Sequence, residues 1–306
     1  MTALATGGVR RKDVRDGDGR TGDGRTSRQR RFLRRLPWWI ATILLIGVAV
    51  LWIFPFLWML SASLKDNLQM FTGGLQLWPK KFVWANYARA WNDAHFGRYL
   101  LNTIVVTVIT VAVVTIRCAT AGYVLARYRF RGSRIFLGVL VATLFVPTGY
   151  TIIPVVKISL QLHLIDSLAG MILALSGGAY VSAILIYYGY FRQIPKELEE
   201  AAVVDGAGFV RTFFSVMLPL AMPVTATVAV LTFITTWNAF FLPLVFTFSR
   251  PDLRTVSVGM QAFVGETATD WSGMAAAGVI SILPVVILFI ILQRYFVEGI
   301  SGAVKS

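Results

Sequence analysis

Six apolar windows, each long enough to cross about 30 Å of hydrocarbon as a helix, leave this chain few folds to choose from. They run Trp38–Leu60, Leu100–Leu125, Ile135–Val156, Ser167–Tyr190, Leu218–Phe246 and Met274–Phe296. Apolar residues make up 56% of the sequence against 14% charged, outside ordinary soluble usage. The two-residue alternation of an outer-membrane barrel is absent. The chain therefore reads as an all-α integral membrane protein with six transmembrane helices. The third and fifth windows are the least clean, the third broken by Pro147 and Pro154 and the fifth by Pro219, Pro223 and Pro243.

Positive charge orients the bundle. With the N-terminus inside, 20 of the 29 Lys and Arg fall on inner segments and 7 on outer loops. Both termini are thus expected in the cytoplasm, with the bundle in the cytoplasmic membrane. The net charge of +14 is mostly this inner excess, so membrane lipid accounts for it and nucleic acid is not needed. Residues 1–35 carry almost no apolar content and are expected as a disordered, basic cytoplasmic tail; residues 36–306 form the membrane domain. The apolar stretch before Ser61-Ala-Ser63 is longer than that of a cleavable signal peptide. Cys118 is the single cysteine, and His95 and His163 are isolated. No phosphate loop, nucleophile–base set, acid pair or metal cluster is present. The residues exclude an enzyme, a metal and a cofactor.

Between the fourth and fifth windows lies a charged island of about 27 residues, from Phe191 to Met217, where a short connection is usual. It reads as two short helices about a glycine. Pro195 suits a first helical position, and Glu197, Glu199 and Glu200 favour the positive end of the dipole. Ala201 and Ala202 leave a bare surface for another protein's backbone. Asp205-Gly206 ends the helix, glycine taking the left-handed conformation. A second helix carries Phe209, Phe213 and Val216 on one side, at helical spacing. The island has the features of a docking knob.

The pattern Glu200-Ala201-Ala202, Gly206, then Val216-Met217-Leu218-Pro219 resembles the EAA loop of ABC-importer permeases. In that loop Glu-Ala-Ala is followed after three residues by Gly and after nine more by Ile-x-Leu-Pro; Val216 stands where Ile is usual. Asn86–Trp91, Asn102, Ala126-Arg127 with Phe130-Arg131-Gly132, and Thr236-Trp237-Asn238 are similar to the carbohydrate (maltose-type) branch. The end of the chain, Gly299–Ser306, resembles the tail of the smaller maltose-type permease that touches the ATPase, one residue shorter and ending in Ser. The resemblance implies an ABC transporter type-1 transmembrane domain over residues 36–306. A cytoplasmic EAA coupling helix would lie between spans 4 and 5, with Glu199, Glu200, Ala201, Ala202, Asp205, Gly206, Leu218 and Pro219 as ATPase-coupling residues. It further implies a sugar or oligosaccharide as cargo and no catalysis by this chain. The implied partners are a second permease in a heterodimer, two cytoplasmic ATPase subunits and an extracytoplasmic solute-binding protein. The long outer segments Ala62–Tyr99 and Ser249–Ser272 would serve that binding protein as a platform, or simply be solvated connectors.

Candidates for the pathway are fewer. Pro147, Thr148, Gly149 and Pro154 break the third span, and irregular backbone at membrane depth is tolerated only against protein or water, which draws in Thr148 and Tyr150. Arg117 sits ten positions, roughly 15 Å of helix rise, from Arg127. That is too deep for its charge to reach water, and no span of this chain contains an acid. Either backbone carbonyls satisfy it or it faces the pathway and favours polyhydroxylated or anionic cargo. Trp237 and Asn238 are candidates to stack on a sugar face and bond its hydroxyls, or make an ordinary interhelical contact. Two other readings remain: a permease of the same machinery for glycerol phosphate, amino acids or peptides, and a secondary transporter. The latter would want intramembrane carboxylates or inverted repeats.

Overall fold

A computed structural model of the chain describes residues 27–72, 74, 76–265 and 268–303. The expected basic tail lies largely outside the described residues, as do the last three positions of the C-terminal tail. The described chain is helical, its only extended pairing being an isolated bridge between Val264 and Thr269. It divides into two units. The first ends at Pro55 and contains most of α1 (Ser27–Ala62), with apolar side chains such as Leu51 and Trp52 exposed. Proline lacks the N–H that would continue the helical ladder there.

The second unit begins at Phe56. A short α2 (Asn67–Thr72) and α3 (Ala85–Ala88), running into a π-turn at Arg89–Asp93, lead to α4 (Phe96–Arg127). With 32 residues and no proline, α4 is the longest described helix of this unit apart from the last. It buries a stripe of Val106, Thr110, Val114, Cys118 and Tyr123, at the spacing of one helical face. α5 (Ser133–Thr143) and α6 (Ile152–Gln161) follow, then α7 (Leu168–Ser176) and α8 (Val181–Gln193), which pack on α4. Gly122 lets α4 and α8 touch: a Cβ there would lie 2.5 Å from Tyr187 Cβ and 2.9 Å from the Tyr188 nitrogen. After α9 (Glu197–Val204) and α10 (Phe209–Leu220), α11 (Met222–Trp237) returns along α4. α12 (Phe241–Phe246), the single turn α13 (Val256–Gly259) and α14 (Trp271–Ala303) complete the chain.

Trp39–Ala62, Phe96–Arg127 and Trp271–Ile291 are long and apolar enough to cross a membrane, and two bent pairs bring the number to five. The expected fourth window is α7 plus α8, bent by 56°. Its break falls at Gly177–Tyr180, where Tyr180 takes a left-handed φ of 46°. The expected fifth window is bent by 82° around Ala221, so Leu218–Leu220 belong to the preceding helix rather than to the crossing. The expected third window is divided between α5 and α6 by Pro147 and a 3-10 turn at Thr148–Thr151, and neither half crosses alone. Six crossings therefore require α5 and α6 to form one broken crossing.

At the Phe96 end of α4 the two segments expected as outer loops fold together. Phe96, Tyr99, Val256, Phe263, Ala276 and Ala277 share one core. The Asn102 amide donates to the carbonyls of Asp252 (2.9 Å) and Arg254 (3.0 Å), and the Val256 N–H donates to Thr103 Oγ1 (2.8 Å). Asn86 donates to the carbonyls of Ser63 (2.8 Å) and Lys65 (2.7 Å). Asp270 accepts from the Gly273 N–H (3.0 Å), as a cap for α14, and pairs with Arg89 at 3.2 Å.

Candidate coupling site

The elbow between α8 and α11 begins where α8 stops. Ile194 is extended (ψ 131°), as a residue before proline prefers, and its carbonyl accepts from Arg127 Nη2 at 2.7 Å. Pro195 lies two residues ahead of α9 rather than in its first turn; Lys196 is the N-cap. The Lys196 carbonyl accepts the N–H groups of Glu199 (2.9 Å) and Glu200 (3.0 Å), and three glutamates fill the first turn. The far end closes as a Schellman motif: Ala207 N–H to Ala202 O (2.9 Å), Gly206 N–H to Val203 O (3.0 Å), and Gly206 at φ 79°. A Cβ on Gly206 would meet nothing within 4 Å, so its requirement is conformational and not steric.

The two central glutamates diverge. Glu200 is exposed with Ala201, while Ala202 is buried. Glu199 turns back onto α4. Its Oε2 lies 3.2 Å from Arg127 Nε, with side-chain exposures of 5% for Arg127 and 17% for Glu199, and its Oε1 accepts the Tyr123 hydroxyl at 2.6 Å. The Tyr123 ring in turn stands among Tyr128 (5.9 Å), Phe191 (5.5 Å), Phe209 (5.6 Å) and Phe213 (5.3 Å). Phe213–Met217 form a π-turn within α10, and Phe213, Met217 and Ala221 are fully buried in the same core, with Val216 and Leu218 packed against it. Pro219 and Asp205 are exposed. The elbow is thus a small lobe fastened to α4 by charge and aromatic packing. Its outer surface sets apolar side chains among the charged ones: Leu198, Val203, Val204 (85% exposed), Val210 and Phe214 are exposed beside Glu197, Glu200, Asp205 and Arg211.

The structure does not bring the pathway candidates together. Arg117 donates through Nη2 to the Gly178 carbonyl (2.5 Å), at the break between α7 and α8, and stands 5.6 Å over the Tyr180 ring. Its first partner is therefore a carbonyl of this chain, one that the break leaves without a helical N–H. Trp237 is buried and stacked on Phe233 at 5.1 Å. Asn238 caps its own helix through Ile234 O (2.8 Å) with its side chain exposed. Thr148 opens the 3-10 turn on which Tyr150 is 75% exposed. Tyr123, Arg127 and Phe191 are the residues that sequence reasoning left without a role. The aromatic pair Tyr123 and Tyr128 beside an arginine at a span end was the available signal.

A profile described as binding-protein-dependent transport system inner membrane component matches residues 118–302. The diacetylchitobiose uptake system permease protein of Streptomyces coelicolor is 34% identical over 264 residues, covering 86% of this chain and 87% of its own length. The melibiose/raffinose/stachyose import permease protein of Bacillus subtilis is 31% identical, covering 87% and 96%. A solved chain of a bacterial ABC transporter that imports the acidic polysaccharide alginate matches with a TM-score of 0.75 at 27% identity, covering 86% of this chain and 98% of that one. On these matches, the chain belongs to the inner membrane components of binding-protein-dependent transport systems.

Proposed function

We propose that the chain is one of two permease subunits of an ATP-driven importer for a sugar or oligosaccharide. It would have six spans, both termini in the cytoplasm and the elbow as its ATPase-coupling helix. The observation that carries the reading is the elbow's outer surface: Glu200 beside the bare Ala201, with Val203, Val204 and Val210 also exposed, on a lobe fastened to the bundle. A partner with a matching cleft would bury that surface, and two ATPase subunits closing on ATP would move the lobe. The binding protein would meet the opposite end, where the two long segments are folded together. The cargo class rests on relatives named for diacetylchitobiose and raffinose-type sugars. Of the pathway candidates, Arg117, Tyr150 and Asn238 keep exposed surface, whereas the Trp237 ring is taken by Phe233.

The test is a Val204→Cys variant in the assembled importer, with a bifunctional thiol cross-linker. Cross-linking to the ATPase subunit that ATP alters, together with ATP-dependent oligosaccharide uptake by proteoliposomes, is expected. An elbow that reacts only with soluble quencher while uptake proceeds would overturn the reading.

A further inference from the structure

We propose that Arg127, Tyr123 and Glu199 are a transmission joint: positioning residues that carry movement of the elbow into α4, with Glu199 acting inside the permease and not on the ATPase. The inference rests on the coupling role proposed above and goes beyond it, because neither Tyr123 nor Arg127 belongs to the EAA pattern.

Adjacent residues of a helix point about 100° apart. Glu199 and Glu200 therefore point differently here: Glu199 is turned inward and Glu200 is exposed. Both its oxygens face α4: Oε1 accepts the Tyr123 hydroxyl, and Oε2 stands in ion-pair contact with Arg127 Nε without a hydrogen bond. A carboxylate held by one hydrogen bond and an adjacent charge resists rotation as well as pull. The Arg127 guanidinium also grips the Ile194 carbonyl at 2.7 Å, so one planar group fixes α9 against the chain that enters it. Nearly shielded from water, this pair is screened little by salt. The compliant points, Gly206 and the 82° bend around Ala221, flank α10 and not this contact. The elbow therefore turns on α4 where it is stiffest.

The test uses the assembled importer in lipid nanodiscs, with spin labels at the exposed Val108 of α4 and Leu283 of α14. ATP hydrolysis and the label distance, with and without ATP and vanadate, are read together. Glu199→Gln and Arg127→Gln are expected to keep ATPase binding and hydrolysis within about twofold while the vanadate-dependent distance change is lost. The swap Arg127→Glu/Glu199→Arg should restore about half of it or more, and Tyr123→Phe, which keeps the pair, should fall between. A full distance change in Glu199→Gln overturns the joint. So does loss of ATPase binding in that variant, since Glu199 would then face the motor. Failure of both single variants and the swap to accumulate in the membrane also overturns it, leaving the pair as a support of the fold. A wild-type complex that shows no distance change would fail the coupling reading itself, a separate result.

Discussion

At its Arg127 end α4 holds the elbow through an ion pair, a phenol–carboxylate hydrogen bond and an aromatic cluster, whereas at its Phe96 end it holds its neighbours through neutral side chains on main-chain groups. The chemistry of the two ends differs in consequence. An amide donating to two carbonyls completes backbone groups that the loop cannot complete itself, and it acts alike whatever charge approaches. A shielded ion pair adds little over an apolar contact while whole, yet losing one member strands the other. The first arrangement suits a platform that keeps one shape, and the second suits a contact whose integrity must be felt at a distance.

Substitutions at the two ends should separate these roles. The largest effect on stability is expected for Arg127→Leu, which leaves the Glu199 carboxylate shielded and unpaired, a loss of about 3–5 kcal/mol. Thermal unfolding in detergent would show it, and Arg127→Leu/Glu199→Leu should recover most of it. Asn102→Leu abandons two carbonyls at the opposite end and should cost about 2–3 kcal/mol in the same assay. ATP-driven motion of the surviving protein should stay normal; a motion defect there would erase the distinction between the ends. Gly206→Ala forces an L-residue into φ 79° without a clash and should cost roughly 1–2 kcal/mol. Glu200→Gln should shift stability by less than about 0.5 kcal/mol, as exposed substitutions do, yet weaken ATPase binding in a pull-down.

How much of this the sequence discloses depends on how local the cause is. The elbow's helix, its glycine stop and a row of Phe209, Phe213 and Val216 on one side follow from spacing; the structure forms the helix and the stop and packs Phe213 and Val216 into the core, while Phe209 touches the Tyr123 ring and stays exposed. The break at Pro147 also follows, because proline acts on its own neighbours. The bend at Gly177–Tyr180 does not: two glycines in an apolar run read equally well as helix packing, and Tyr180 is an improbable residue for a left-handed turn. The inward turn of Glu199 is still less legible, since its partners are 72 and 76 positions away and only the docked α4 selects which glutamate faces in. The same holds for Arg117, whose need for a partner is plain from its depth but whose carbonyl lies on another helix.

That carbonyl has a mechanical corollary. The kink in the fourth apolar stretch borrows its proton donor from α4, so straightening it would strip the Arg117 guanidinium of its acceptor. Bend and charge are tied through one carbonyl, so a change at either is expected to be felt at the other.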